Sequence, residues 1–211
     1  MSKIASIVKE LKKYYPPDEF AKLNDRNPFK TLVSCILSLR TKDEVTYKAT
    51  RRLYKIATTP QKILKLPTKK LEKLIYPVGF YKTKAKRIKG ICKKLIKEYN
   101  CKVPDTIEEL LKFKGVGRKT ANIVITFGFG KHGIAVDTNV NRISNRLGLV
   151  KTKNPHETEF ALRKLLPKKY WIVFNELLVR HGQNTCKPIS PFCSKCCIRK
   201  CCKRVGVTRS R

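Results

Sequence analysis

The chain has 211 residues, enough for one large domain or two small ones, and its 49 Lys and Arg against 15 Asp and Glu give a formal net charge of +34. No run approaches the roughly 18 apolar residues of a membrane span, and residues 1–6 lack a secretory apolar stretch, so we expect an intracellular, cytoplasmic protein without a membrane partner. The excess of bases favours a polyanion partner such as nucleic acid, with base-biased or heat-adapted composition as the alternative.

Apolar residues recur at helical spacing along most of the chain, and the alternation typical of strands is nearly absent. We therefore predict an all-α protein with short connections. The predicted helices cover Phe29–Leu39, Asp43–Ala57, Gln61–Lys65, Lys69–Val78, Lys84–Tyr99, Arg118–Phe127, Thr138–Leu147, Pro155–Leu166 and Tyr170–Gly182.

A turn hinged by two glycines, Gly115-Val116-Gly117, lies between two of the helical segments. The first of these is predicted to begin with Asp105 as N-cap and Glu108 closing a capping box, and the second begins at Arg118. Such a turn can present backbone N–H groups to a phosphate, and the helix that follows adds the positive end of its dipole. The stretch from about 105 to 128 is thus predicted to be a helix–hairpin–helix, although an ordinary turn is the alternative.

A cysteine-rich loop follows the last predicted helix, with the spacing C-x6-C-x2-C-x5-C formed by Cys186, Cys193, Cys196 and Cys202. Four thiolates on one short loop indicate a metal centre, and the spacing alone suits either a [4Fe–4S] cube or tetrahedral zinc. Cys197 and Cys201 adjoin these positions and could compete for the metal.

Together the motifs resemble the endonuclease III branch of the helix–hairpin–helix DNA glycosylases, over nearly the whole chain. The resemblance is carried in order by Asn27-Pro28-Phe29, residues 37–43, residues 79–85, residues 115–122, Val136-Asp137-Thr138, His181-Gly182 and the cysteine spacing. It implies a monomer with a [4Fe–4S] cluster rather than zinc, and two helical lobes with DNA bound in a cleft between them. A six-helix lobe would cover about residues 19–131, and residues 1–18 with 132–211 would form the cluster lobe, with the cluster loop at 186–202.

The resemblance also implies a base-excision-repair glycosylase with abasic-site lyase activity, acting near the nucleoid on oxidised pyrimidines in duplex DNA. Lys119 would be the nucleophile that attacks C1′ and forms a Schiff base, with noncovalent phosphate binding as the alternative. Asp137 would stabilise the charge that develops on the sugar, or cap a helix beginning at Thr138, and the two roles are compatible. The alternatives are a mismatch or alkylated-base glycosylase of the same superfamily, and a noncatalytic DNA-binding protein.

A base must leave the duplex to be excised, so side chains are expected to fill the gap. The family commonly has a leucine-like wedge at the place of Phe80, a glutamine at or beside Arg40, and a histidine at the place of Asn139; asparagine at that place is similar to the mismatch and adenine branches. The predicted DNA-binding residues are the hairpin with its flank and the wedge region: Gly115, Val116, Gly117, Arg118, Thr120, Leu39, Arg40, Phe80, Lys82 and Lys84.

Overall fold

The computed structural model describes residues 2–16 and 26–211. Helices are the only regular secondary structure in these ranges, so the predicted all-α class is confirmed. Their bounds are α1 Lys3–Tyr14, α2 Pro28–Ser38, α3 Asp43–Tyr54, α4 Pro60–Lys65, α5 Thr68–Ile75, α6 Tyr81–Glu98, α7 Ile107–Leu111, α8 Arg118–Ile123, α9 Thr138–Arg146, α10 Pro155–Leu165 and α11 Trp171–Asn184. A π-helical segment, Val124–Gly128, continues α8, and short 3-10 turns lie at Lys168–Tyr170 and Arg199–Cys201.

The described chain divides into two compact units, and the first is the continuous stretch 26–131. Its helix α2 packs against α3, α6, α8 and the π-helical segment. The α2 side chains Leu32, Ile36 and Leu37 are fully buried there. Each such side chain contributes roughly 1.5–3 kcal/mol on leaving water, so α2 anchors the helix that follows the hairpin.

The second unit joins α1 to residues 132–211. Helix α11 packs against both α1 and α9, and the α1 side chains Ile7, Val8 and Leu11 are buried in that core. The cysteine loop follows α11 directly and belongs to the same unit. The predicted lobe boundary between residues 18 and 19 lies outside the described residues.

Side-chain capping explains where several helices begin. Asn27 accepts a hydrogen bond from the Lys30 backbone N at 3.0 Å, and Asn154 accepts one from the Glu157 backbone N at 2.9 Å. In both helices a proline takes the first position, where its missing N–H costs nothing. These local signals place α2 and α10 within one residue of their predicted bounds.

The predicted N-cap of the helix before the hairpin is wrong by one residue. Thr106 caps α7, and its hydroxyl accepts a hydrogen bond from the Glu109 backbone N at 3.4 Å. Asp105 instead forms an ion pair with Lys131 at 2.5 Å, because that ammonium is a stronger donor than a backbone N–H. No capping box forms, since Glu109 holds the third helical position and directs its carboxylate to Tyr99 and Lys112.

Two helices around the hairpin also differ from their predicted bounds. Helix α6 begins at Tyr81 rather than Lys84, directly after Phe80, whose backbone is left-handed. The helix predicted over Arg118–Phe127 keeps α-helical geometry only to Ile123 and then widens into the π-helical segment. That segment ends at Gly128, where a built Cβ would lie 2.8 Å from Cα of Pro28, so the close packing on α2 requires glycine.

Candidate functional site

The hairpin turn between α7 and α8 has the geometry that its glycines predict. Gly115 has φ +85°, and the Val116 backbone N donates to the Phe113 carbonyl at 3.0 Å, which closes the turn. Gly117 is the N-cap of α8 and is exposed. A Cβ added at this position would have no other atom within 4 Å. The first N–H groups of a helix have no acceptors within it, so this turn leaves donors in an open position where an anion can bind.

Lys119 lies on the first turn of α8, and its side chain is exposed. No hydrogen bond or ion pair to its ammonium occurs within the described ranges. The nearby thiol of Cys35 is buried, and burial raises its pKa to about 12, against the opposing effect of the Lys119 charge. Cys35 therefore stays a neutral thiol and offers no negative charge to pair with Lys119.

Two loops of the same unit hold the predicted wedge residues in left-handed backbone conformations. Arg40 has φ +51° and Phe80 has φ +58°, and the Phe80 side chain is 64% exposed. The loops contact each other, since a built Cβ on Gly79 would lie 2.8 Å from the Arg40 carbonyl oxygen and the Gly79 N–H donates to Thr41 Oγ1 at 3.2 Å. Left-handed geometry is costly for residues with a Cβ, so the surrounding contacts must hold both residues in it.

Lys84 binds the loop that carries Arg40 from the interior of the protein. Its side chain is buried, and Nζ donates to the carbonyls of Leu37 at 2.8 Å and Leu39 at 2.5 Å and to Thr41 Oγ1 at 3.1 Å. Burial, followed by the nearby Arg87 charge, lowers the pKa of Lys84 to about 8. The ammonium thus faces the loop rather than solvent, whereas Lys82 on the same helix is exposed.

Asp137 is the N-cap of α9, so the capping interpretation is confirmed. Its Oδ1 accepts from the Val140 backbone N at 2.8 Å, and its Oδ2 accepts from Asn139 Nδ2 at 3.1 Å. Both carboxylate oxygens are therefore held in one orientation. The side chain stays partly exposed, which leaves it accessible to a ligand.

A chain of hydrogen bonds runs from Asp137 to the cysteine loop. Asn139 donates to Asp137 and accepts from Arg142 Nη2 at 2.8 Å, and the same nitrogen donates to the Cys186 carbonyl at 2.8 Å. A carboxamide can donate and accept at once, which suits it to this position. A built Cβ on Gly182 would lie 2.5 Å from Asn139 Oδ1, so glycine makes room for the amide.

The four cysteines predicted as ligands line one cavity, together with side chains of α9 and α11. Among the residues that the structure describes, neither Cys197 nor Cys201 lines this cavity, in contrast to the other four cysteines. In the described ranges, no three His, Cys, Asp or Glu side chains lie close enough together to share a single metal ion. The cavity therefore brings four thiols around a common space without a ready-made site for one ion. The four are Cys186, Cys193, Cys196 and Cys202.

Two polar side chains of the cavity lining contact its sulfurs. Arg146 donates from Nη1 to Cys186 Sγ at 3.3 Å and from Nη2 to the Pro188 carbonyl at 2.7 Å. His181 Nε2 lies 3.6 Å from Cys196 Sγ, and its Nδ1 lies 3.2 Å from the Tyr15 hydroxyl. Burial lowers the pKa of His181 to about 4, so the ring is neutral beside the thiol.

Residues 33–168 match the profile of the HhH-GPD superfamily of base excision DNA repair proteins. Endonuclease III of Thermotoga maritima is 46% identical over 200 residues, which cover 95% of this chain and 92% of that protein. The chain belongs to the endonuclease III family. A solved structure of a trapped covalent endonuclease III–DNA intermediate, an estranged-adenine complex, aligns with a TM-score of 0.85 and 37% identity over 97% of both chains. A thermostable thymine-DNA glycosylase aligns with a TM-score of 0.83 and 26% identity over 95% of this chain and 94% of that one.

As a member of the endonuclease III family, the chain distributes its predicted site residues over both units. Residues 26–131 bring together the hairpin, Lys119 and the two wedge loops, and residues 132–211 hold Asp137 and the four cysteines. Local sequence patterns do not indicate that Lys84 is buried, or that Arg142 and Arg146 bind the cysteine loop. The i, i+4 spacing of those two arginines on α9 was the available signal for a shared face.

No helix in the described part of the chain is both long and apolar enough to cross a bilayer.

Proposed function

We propose that this protein is a base-excision-repair DNA glycosylase with abasic-site lyase activity. The observation that carries the proposal is the exposed, unpaired Lys119 amine in the first helical turn after a hairpin whose open N–H groups suit a phosphate. Membership of the endonuclease III family supports it, as does the covalent DNA intermediate trapped with a structural relative. Oxidised pyrimidines in duplex DNA are the proposed substrates, which would place the enzyme beside the nucleoid in the cytoplasm.

Lys119 would act as the nucleophile. Its neutral amine attacks C1′ of the damaged nucleotide, and the base leaves with the electrons of the glycosidic bond and takes up a proton. Opening of the sugar ring then gives a Schiff base between Lys119 and C1′. Loss of a proton from C2′ expels the 3′ phosphate by β-elimination, and hydrolysis returns the amine.

Asp137 would stabilise the positive charge that develops on the sugar as the base departs. The hydrogen bonds from Val140 and Asn139 fix the direction of its carboxylate before substrate arrives. Preorganisation of this kind spares the reorientation of a charged group during the reaction. The capping role and the catalytic role of Asp137 thus use the same geometry.

Phe80 and Arg40 would fill the space left by an extruded base, with Leu39 beside them. Phe80 suits stacking because its ring is 64% exposed on a left-handed residue. We assign Lys84 to positioning: its ammonium holds the loop that carries Leu39 and Arg40, and Lys82 remains available for phosphate. Arginine at position 40 can donate to an orphaned base but cannot accept from it.

The four cysteines around the cavity would hold a [4Fe–4S] cluster, and thiolates are the ligands that such clusters use. The cluster would supply a rigid staple for the loop that follows α11. Arg146 already donates an N–H group to the Cys186 sulfur, and His181 Nε2 lies beside the Cys196 sulfur, as expected for groups that orient ligands. Visible absorption and stoichiometric iron in the purified protein test the assignment, and a colourless protein with stoichiometric zinc would contradict it.

The function is tested by borohydride trapping on duplex DNA with a single thymine glycol, alongside an abasic duplex. We expect a covalent adduct on both duplexes from the wild type and none from Lys119→Ala. Lys69→Ala, an exposed lysine on α5, is the matched control and should trap normally. An adduct on the abasic duplex alone would keep the lyase and redirect the search to mismatched or alkylated bases. Absence of any adduct would favour a glycosylase without lyase activity or a noncatalytic binder, and only the former would give strand breaks after added alkali.

A further inference from the structure

A basic groove lies beside the hairpin, between α6 and the residues just before Gly115. Its cations come from both sides: Lys86, Arg87, Lys94, Lys112 and Lys114. Lys94 is paired with Glu98 at 3.6 Å, and Lys112 is paired with Glu109. The other three cations have no acidic partner in the part of the chain that the structure describes. Uncompensated cations gathered in one concave surface favour a polyanionic ligand.

Gly90 lines the middle of this groove, and the fold of the protein does not require glycine there. It lies in the interior of α6, its φ is not positive, and nothing lies within 4 Å of a built Cβ. Glycine inside a helix is destabilising relative to alanine. A position that accepts this cost without a packing reason, in the floor of a basic groove, fits the close approach of a ligand backbone.

The groove is continuous with the hairpin. A built Cβ on Gly115 would lie 2.5 Å from Cδ and Nε of Arg87, so the arginine side chain lies directly against the turn. Along α6, the eight helical steps from Lys86 to Lys94 span about 12 Å. Phosphates of one DNA strand advance about 3.4 Å per step along the helix axis, so this length matches about three or four phosphates.

We infer that the groove binds the phosphodiester backbone of duplex DNA flanking the lesion, with Gly90 at the point of closest approach. The inference rests on the proposed function for its choice of duplex DNA. Unpaired Lys86, Arg87 and Lys114 supply charge to successive phosphates. The groove thereby extends the footprint of the hairpin along one strand.

The Gly90→Ala variant tests whether glycine at this position serves DNA binding rather than the stability of the fold. The variant should unfold at a higher urea concentration than wild type, because alanine favours the helix and meets no atom in the free protein. Its affinity for a duplex of about 25 base pairs with a reduced abasic site should fall about fivefold. Lys97→Ala, an exposed position outside the groove on the same helix, should leave that affinity unchanged. Higher stability with unchanged affinity would overturn the inference.

The salt dependence of binding gives a second measurement. Each phosphate contact contributes about 0.9 to the slope of log K against log salt concentration, so Lys86→Gln with Lys114→Gln should lower the slope by about 1.8. The matched control is Lys69→Gln with Lys70→Gln, two exposed lysines on α5 with the same change of charge. Equal slopes for the two double variants would refute the groove.

Two combinations of results distinguish a failure of the groove proposal from a failure of the proposed function. If wild type gives trapped adducts while the groove variants bind as wild type does, only the groove proposal fails. If wild type gives no adduct but the groove variants lose affinity and slope, the enzymatic function fails and the groove stands. A loss confined to single-stranded DNA or RNA would refute the choice of duplex.

Discussion

Lys84 offers a direct test of how the loop that carries Leu39 and Arg40 is held, because the pKa of its buried ammonium differs from that of an exposed lysine. The pKa falls from the ordinary value of 10.5 to about 8 through burial, with Arg87 as the charged neighbour. The folded pKa is the lower one, so between about pH 8 and pH 10.5 the unfolded chain binds more protons at this residue. The Lys84 contribution to the free energy of unfolding therefore rises with pH through that window.

The magnitude follows from the two pKa values. Their full difference corresponds to about 3 kcal/mol, and between about pH 7.5 and pH 9.5 the expected rise is about 2 kcal/mol. Urea unfolding of wild type and Lys84→Met at both pH values isolates it, since the other titrating groups cancel in the difference. Lys97→Met, an exposed lysine on the same helix, is the matched control.

The difference between wild type and Lys84→Met should change by about 2 kcal/mol across this pH range, in favour of wild type at high pH. A difference that stays constant, or that moves in the opposite direction, would refute the burial of a charged Lys84 beneath the loops. The same titration has a structural consequence, because the neutral amine has two N–H groups for three acceptors. At high pH the contact with Thr41 therefore persists only if its hydroxyl donates to the amine.

Three further substitutions test the second unit. Gly182→Ala should lower the single-turnover rate about tenfold with little change in DNA affinity, because its Cβ displaces Asn139 from the Asp137 carboxylate. Single-turnover rates and binding curves check this, and parallel losses in both would contradict it. Asp137→Asn should keep the cap to Val140, but it removes the negative charge and turns an NH2 group towards the NH2 group of Asn139, so excision slows about a hundredfold or more and the melting temperature falls slightly. A rate close to wild type would rule out its electrostatic role. Cys196→Ser should lose bound iron, whereas Cys197→Ser should retain it. The iron content per chain measures this, and the reverse result would assign Cys197 rather than Cys196 as a ligand.

The hairpin and the gathering of four cysteines around one cavity could be predicted because their signals are local. Glycines at positions 115 and 117 fix a turn within a few residues, and cysteine spacing restricts a short loop regardless of the rest of the fold. The same holds for Asp137, whose cap is formed with a residue three positions later. The wedge positions were predicted only through resemblance, since nothing in the residues near Phe80 indicates a left-handed backbone.

Contacts between distant parts of the chain account for what the sequence did not reveal. Lys84 lies in a strongly basic stretch typical of a solvent-exposed surface, yet its partners lie 43 to 47 residues away on another helix end. The bond from Arg142 to the Cys186 carbonyl spans 44 residues. The Thr106 cap was missed for a different reason: two adjacent residues can both cap, and the choice depends on Lys131, which attracts Asp105.

The two units impose an order on folding during synthesis. Residues 26–131 form a continuous unit with its own core, so their helices can pack while later residues are still being made. Helix α1 is made earlier but buries Ile7, Val8 and Leu11 against α11, so its apolar face must wait until residues 171–184 have left the ribosome. A ribosome that stalls before α11 would therefore hold a chain in which residues 26–131 are packed, while the apolar face of α1 has nothing to pack against.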